Sequence, residues 1–137
     1  MTETPLATLA PRMTVSEVNR LSMLGLAHIG DGVYELLTRT ALCLEGHAAA
    51  GELHRLTVLR VKAPAQARAM ERLLPLLTEE ELAVYKRGRN THVHGVPHGA
   101  KVGEYHAATG LEALFGWLYL LGRAQRIEEL FSVIWKE

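Results

Sequence analysis

Two stretches of the chain are almost free of charge, and each holds a single carboxylate. Between Arg20 and Glu35 the only formally charged side chain is Asp31, and between Glu104 and Arg123 it is Glu112. A segment of that length that is apolar nearly all round belongs in the centre of its domain as a buried helix. A carboxylate in such a place is costly unless something offsets its charge or the group reaches solvent.

The rest of the pattern is helical. No repeat, low-complexity segment or period-2 alternation bounded by hairpin turns interrupts it, while helix punctuation recurs throughout. Thr14 with Glu17, and Thr78 with Glu81, have capping-box spacing. The first predicts a short helix from Thr14, and the second predicts a helix with an acidic first turn and a basic last turn that stops at Gly88. A long apolar helix is expected from about Ser22 to Leu44. Another runs to about Lys62, and the next starts at Ala63-Pro64, where proline's missing N–H does no harm. Two final helices are expected over roughly 104–121 and 124–136, separated by Gly122-Arg123. The fold class is therefore all-α, with one helical domain over 14–137.

Residues 1–13 carry two prolines and no basic-then-apolar start, so they read as a mobile N-terminal tail rather than a signal peptide. No apolar run suits a membrane span. Fifteen basic and fifteen acidic side chains cancel, which argues against a surface coated in positive potential but leaves room for one local basic patch. The single cysteine, Cys43, excludes a disulfide framework and reads as a small core residue in a cytoplasmic protein.

Two central helices of a small domain pack together, and their solitary acids then have a reason to coexist. Asp31 and Glu112 can share a hard divalent cation such as Mg²⁺, which takes one or two protein carboxylates and leaves positions for water and phosphate oxygens. The alternative is that each acid is solvated at an open helix end or bonded to Arg20, Arg39 or Arg60. His28, one turn before Asp31, reads as a packed and hydrogen-bonded histidine. Lys86, Arg87, Arg89 and Asn90 form a basic turn, followed by a polar loop containing His92, His94, His98 and Lys101. Clustered cations on a turn suit phosphate contacts, although cations at a helix C-terminus also simply complement its dipole. The H-V-H spacing lacks the further ligands of a zinc site.

The series LAHIGDGVYE, ELHRL, YKRGRN and TGLEALFGWLYLL, in this order, resembles Mini-III, the short members of the ribonuclease III family. The resemblance implies an all-helical endonuclease domain that works as a homodimer. It also implies Mg²⁺-dependent cleavage of double-stranded RNA, in particular the precursor of large-subunit ribosomal RNA. The family's I-G-D aspartate falls on Asp31 and its L-E-A-L glutamate on Glu112, which become catalytic metal ligands. The K-R-G-R-N turn makes Lys86, Arg87, Arg89 and Asn90, with Lys101, RNA-contacting. Larger relatives carry glutamates where Leu24 and Ala27 stand, and an aspartate where Thr109 stands. A four-carboxylate site is thereby excluded, and Glu35, Glu52 and Thr109 are candidates for supporting positions. No α-β-β-β-α pattern of a double-stranded RNA-binding domain is present, so affinity is expected from the nuclease dimer itself. A rival expectation is a weak or inactive module that binds structured ribosomal RNA without cutting it.

Overall fold

A computed structural model describes residues 11–91 and 101–136. It holds seven α-helices, and no strand occurs among the described residues. They are α1 (Val15–Val18), α2 (Met23–Leu44), α3 (Ala50–Val61), α4 (Ala63–Leu73), α5 (Glu79–Arg89), α6 (Val102–Leu120) and α7 (Ala124–Trp135). A 3-10 turn, Leu74–Leu76, follows α4 where Pro75 ends it.

The boundaries follow from local chemistry. Both capping boxes form: the Thr14 and Thr78 hydroxyls accept from the amides of Glu17 and Glu81, whose carboxylates return the contact to the cap amides. The Ser22 hydroxyl accepts from the Gly25 amide and opens α2. Lys62 is extended between α3 and α4, as the residue that caps a helix N-terminus tends to be, and Gly122 takes a φ of 77° between α6 and α7. Of the expected N-terminal tail, residues 1–10 lie outside the described residues, and the Met13 amide donates to the Leu120 carbonyl at 2.9 Å.

The helix α6 is the axis of the domain, packed against α2, α4, α5 and α7. Leu111, Ala113, Leu114, Phe115 and Leu118 have no exposed surface. Tyr34 of α2 meets Phe115 of α6 and Phe131 of α7 edge to face, at centroid distances of 5.5 and 5.8 Å, a geometry the ring quadrupoles favour. At the other end, the Arg126 guanidinium grips the buried Glu81 carboxylate through two 2.8 Å bonds. Burial pushes the Glu81 carboxyl up, but Arg126 and the Thr78 amide outweigh it and hold it below the usual range.

Two contacts are made by glycine because nothing larger fits. Gly30 and Gly116 mark the crossing of α2 and α6: a Cβ on Gly30 would overlap the Glu112 carbonyl, and one on Gly116 would overlap the Leu26 carbonyl. Gly88 does the same for α5, where a Cβ would lie 2.8 Å from the Ala113 Cβ and 3.0 Å from the Gly110 Cα. This corrects the expectation that Gly88 stops its helix. It lies inside α5, which continues to Arg89 and is capped by Asn90. Cys43 is also exposed rather than a core residue, on the solvent side of α2.

Candidate active site

The glycine crossing decides where the two solitary acids stand. Gly30 sits against the backbone of Glu112, so Asp31, the next residue, and Glu112 emerge side by side from two helices whose main chains touch. The side chains lie within hydrogen-bonding reach of one another. Asp31 is exposed and Glu112 only partly so. Burial pushes the Glu112 carboxyl up, the neighbouring Asp31 charge pushes it further, and an amide hydrogen bond from Gln66 pulls it part of the way back. The outcome is a pKa of about 8.

Two of the three alternative partners are engaged elsewhere. Arg39 bonds Glu35 at 2.7 Å, and the Arg60 guanidinium lies 4.0 Å over the Trp135 ring. Among the described residues no cation pairs with Asp31 or Glu112. Nor do three metal-ligating side chains converge anywhere among them; the described residues bring two carboxylates together at this site. His28 is exposed rather than packed, one turn from Asp31 on the same helix.

The supporting candidates do not join the pair. Glu35 pairs with Arg39, Glu52 lies 3.0 Å from His47, and the buried Thr109 hydroxyl donates to the Tyr105 carbonyl of its own helix. The residue that does join is Gln66, on α4, whose Nε2 donates to Glu112 Oε2 at 3.4 Å. Its signal in the sequence was a lone polar side chain in register with Ala69, Met70 and Leu73, the stripe that α4 buries.

The basic turn ends α5 close to the same part of α6, because Gly88 lies against Gly110 and Ala113. Lys86 and Asn90 are exposed. Arg87 is also exposed and borders a cavity of about 220 Å³ with Asn19, Leu21, Met23 and Leu26, at the start of α2. Arg89 leans toward Tyr85, 5.6 Å from its ring, and donates to the Asn90 side chain at 3.2 Å. The His106 imidazole, 2.9 Å from the Arg89 carbonyl, ties the turn to α6. Lys101 is exposed beside a separate groove of about 440 Å³, which it shares with Glu71, Tyr85 and Glu104. His92, His94 and His98 lie outside the described residues.

No helix among the described residues is long and apolar enough to cross a membrane. Residues 24–123 match the ribonuclease III domain family. A Mini-ribonuclease 3 of Symbiobacterium thermophilum is 46% identical over 112 residues, 82% of this chain and 86% of that protein. One of Thermoanaerobacter sp. is 42% identical over 121 residues, 88% of this chain and 85% of that one. A crystal structure of a Fusobacterium nucleatum protein superposes with a TM-score of 0.78 at 29% identity, covering 88% of this chain and 96% of that one. With the matched region spanning both solitary acids, the glycine crossing and the basic turn, the chain belongs to the ribonuclease III family, among its Mini-ribonuclease 3 members.

Proposed function

We propose that this endoribonuclease hydrolyses double-stranded RNA with Mg²⁺ held by Asp31 and Glu112, works as a homodimer, and matures the precursor of large-subunit ribosomal RNA. The observation that carries the metal role is the pair itself, two carboxyl groups brought together by a backbone crossing with no cation paired to them among the described residues. Their chemistry fits a hard divalent ion. Both donors are oxygens, and the raised Glu112 pKa reflects burial together with a negative charge that such an ion would relieve. When bound, the ion supplies water activation at neutral pH and charge compensation at the phosphoryl oxygens.

The protein's own groups supply the rest. Asp31, exposed at the surface, faces the substrate side, while Glu112 is held from below. Lys86 and Arg87 are exposed at the surface, where they would contact flanking phosphates, and Arg89 is steadied by Tyr85 and Asn90. Reading would follow the A-form shape of the duplex rather than its sequence. The dimer is supported by α3, which packs on α2 and α4 yet buries only Thr57, leaving Val58 and Leu59 exposed beside an α2 that exposes Leu36 and Leu44. A two-fold pair would offer one site to each strand. The ribosomal substrate is what the resemblance to Mini-III implies.

Incubation of the purified chain with a perfect RNA duplex, in Mg²⁺ and in EDTA, tests the activity. Cleavage in Mg²⁺ alone is the expected result, while binding without cleavage would favour the rival module. Sedimentation at micromolar concentration should give a dimer, and a monomer would overturn the two-strand scheme. Replacing Arg87 and Arg89 together with alanine should weaken duplex binding and reduce the slope of log affinity against log salt by about two, roughly one for each lost phosphate contact. An unchanged slope would remove both residues from the interface.

A further inference from the structure

We infer that Gln66 is a positioning residue for the cation, fixing through its amide which oxygen of Glu112 the metal receives; this rests on the proposed reading that Asp31 and Glu112 hold that ion. Gln66 is 1% exposed, among the largest fully buried side chains of the chain, and its neighbours along the same face of α4 are Ala69, Met70 and Leu73. A neutral amide has no packing advantage over methionine or leucine in such a place, and it brings a desolvation cost that an apolar residue lacks. What it gains is one contact across the helix interface, Nε2 to Glu112 Oε2 at 3.4 Å.

That contact constrains a side chain that would otherwise rotate. Glu112 reaches the site through a flexible stem, and its backbone is already pinned at the α2 crossing by Gly30. With Oε2 engaged by the amide of α4, rotation of the carboxyl group is restricted and Oε1 is the oxygen left for the cation. The choice of glutamine also has an electrostatic side. An amide donor favours the ionised carboxylate, whereas a glutamate at 66 would bring a third negative charge to a buried position, and a lysine would compete with the metal. Partners of this kind around a metal ligand typically change affinity or activity by about tenfold to a hundredfold when removed.

The test uses the full-length chain and Mn²⁺ as the probe, titrated without RNA, together with duplex cleavage. Gln66→Met keeps the volume and the apolar fit, so its thermal midpoint in EDTA should stay within a few degrees of the parent's. Its Mn²⁺ affinity and kcat should each fall by about tenfold or more, with KM for the duplex unchanged. A variant that melts earlier but binds Mn²⁺ and turns over like the parent would reduce Gln66 to a packing residue and overturn the inference. Glu112→Gln, titrated in parallel, separates the two levels. If it binds Mn²⁺ as the parent does, the two-acid reading itself fails. If it loses Mn²⁺ while Gln66→Met does not, only the positioning role fails. The parent protein gives a reading that needs no variant: Mg²⁺ should shift the Gln66 side-chain amide signal in nitrogen-15 spectra, and a signal unmoved at saturating Mg²⁺ overturns the inference.

Discussion

Asp31→Asn and Glu112→Gln are each expected to lower Mg²⁺-dependent duplex cleavage by about a thousandfold or more, the rate equivalent of the several kcal/mol of charge stabilisation that a bound metal supplies. Both replacements keep shape and remove charge, so circular dichroism should be unchanged. The second also makes a distinctive prediction about stability. Between the ordinary value of 4.5 and about 8, folded Glu112 retains a proton that the unfolded chain has released. Stability of the metal-free parent therefore falls as pH rises through that window, and the loss is complete above about pH 8. Glu112→Gln lacks this loss. Melted in EDTA at pH 8, it should be more stable than the parent by a few kcal/mol, and the advantage should shrink toward pH 4.5. Metal binding below pH 8 must displace that proton, so apparent Mg²⁺ affinity should climb with pH up to about 8. Undiminished cleavage in either variant would end the metal role. Parallel melting curves across pH would remove the argument from burial.

The other large effect concerns backbone rather than charge. Gly30→Ala and Gly116→Ala each place a methyl where a main-chain carbonyl of the facing helix already lies. Neither carbonyl can rotate away as a side chain would, so α2 and α6 must separate along the most heavily buried contact in the domain. The expected cost exceeds about 3 kcal/mol, beyond ordinary overpacking, and the thermal midpoint should drop by about 10 °C or more. Any folded remainder should cleave poorly, because separation of the helices parts Asp31 from Glu112. Gly32→Ala is the control. Its Cβ would meet open space, and a helical glycine replaced by alanine without strain should raise stability by up to about 1 kcal/mol. If Gly30→Ala and Gly32→Ala melt together, the crossing is not the constraint described above.

Features that act within one turn of chain were legible in the sequence. Thr14 with Glu17 and Thr78 with Glu81 formed as their spacing required, and Ala63-Pro64 opened its helix. The solitary acids were legible because charge stands out against an apolar run. Gln66 was not, since an uncharged side chain in APAQARAMERL draws attention only once the buried stripe of α4 is known. Gly88 was misread for a related reason: a glycine that ends a helix and one that lets another helix approach look alike until the neighbour is in place, and here the neighbour is α6. Cys43 was assigned inward from the habits of free cysteine, whereas it lies off the face of α2 that carries Leu26, Gly30, Tyr34 and Leu42 into the core. His28 failed for the same reason.

The contact of Gly30 with Glu112 has one more consequence. The gap between the two helices that carry the acids is set by two main chains resting on each other, not by side chains wedged between them, and so it works as a fixed caliper. Repacking elsewhere around α6 can change how firmly the protein folds without changing that opening. The stability of the domain and the dimension of its site can therefore drift independently in sequence, so long as two positions stay glycine.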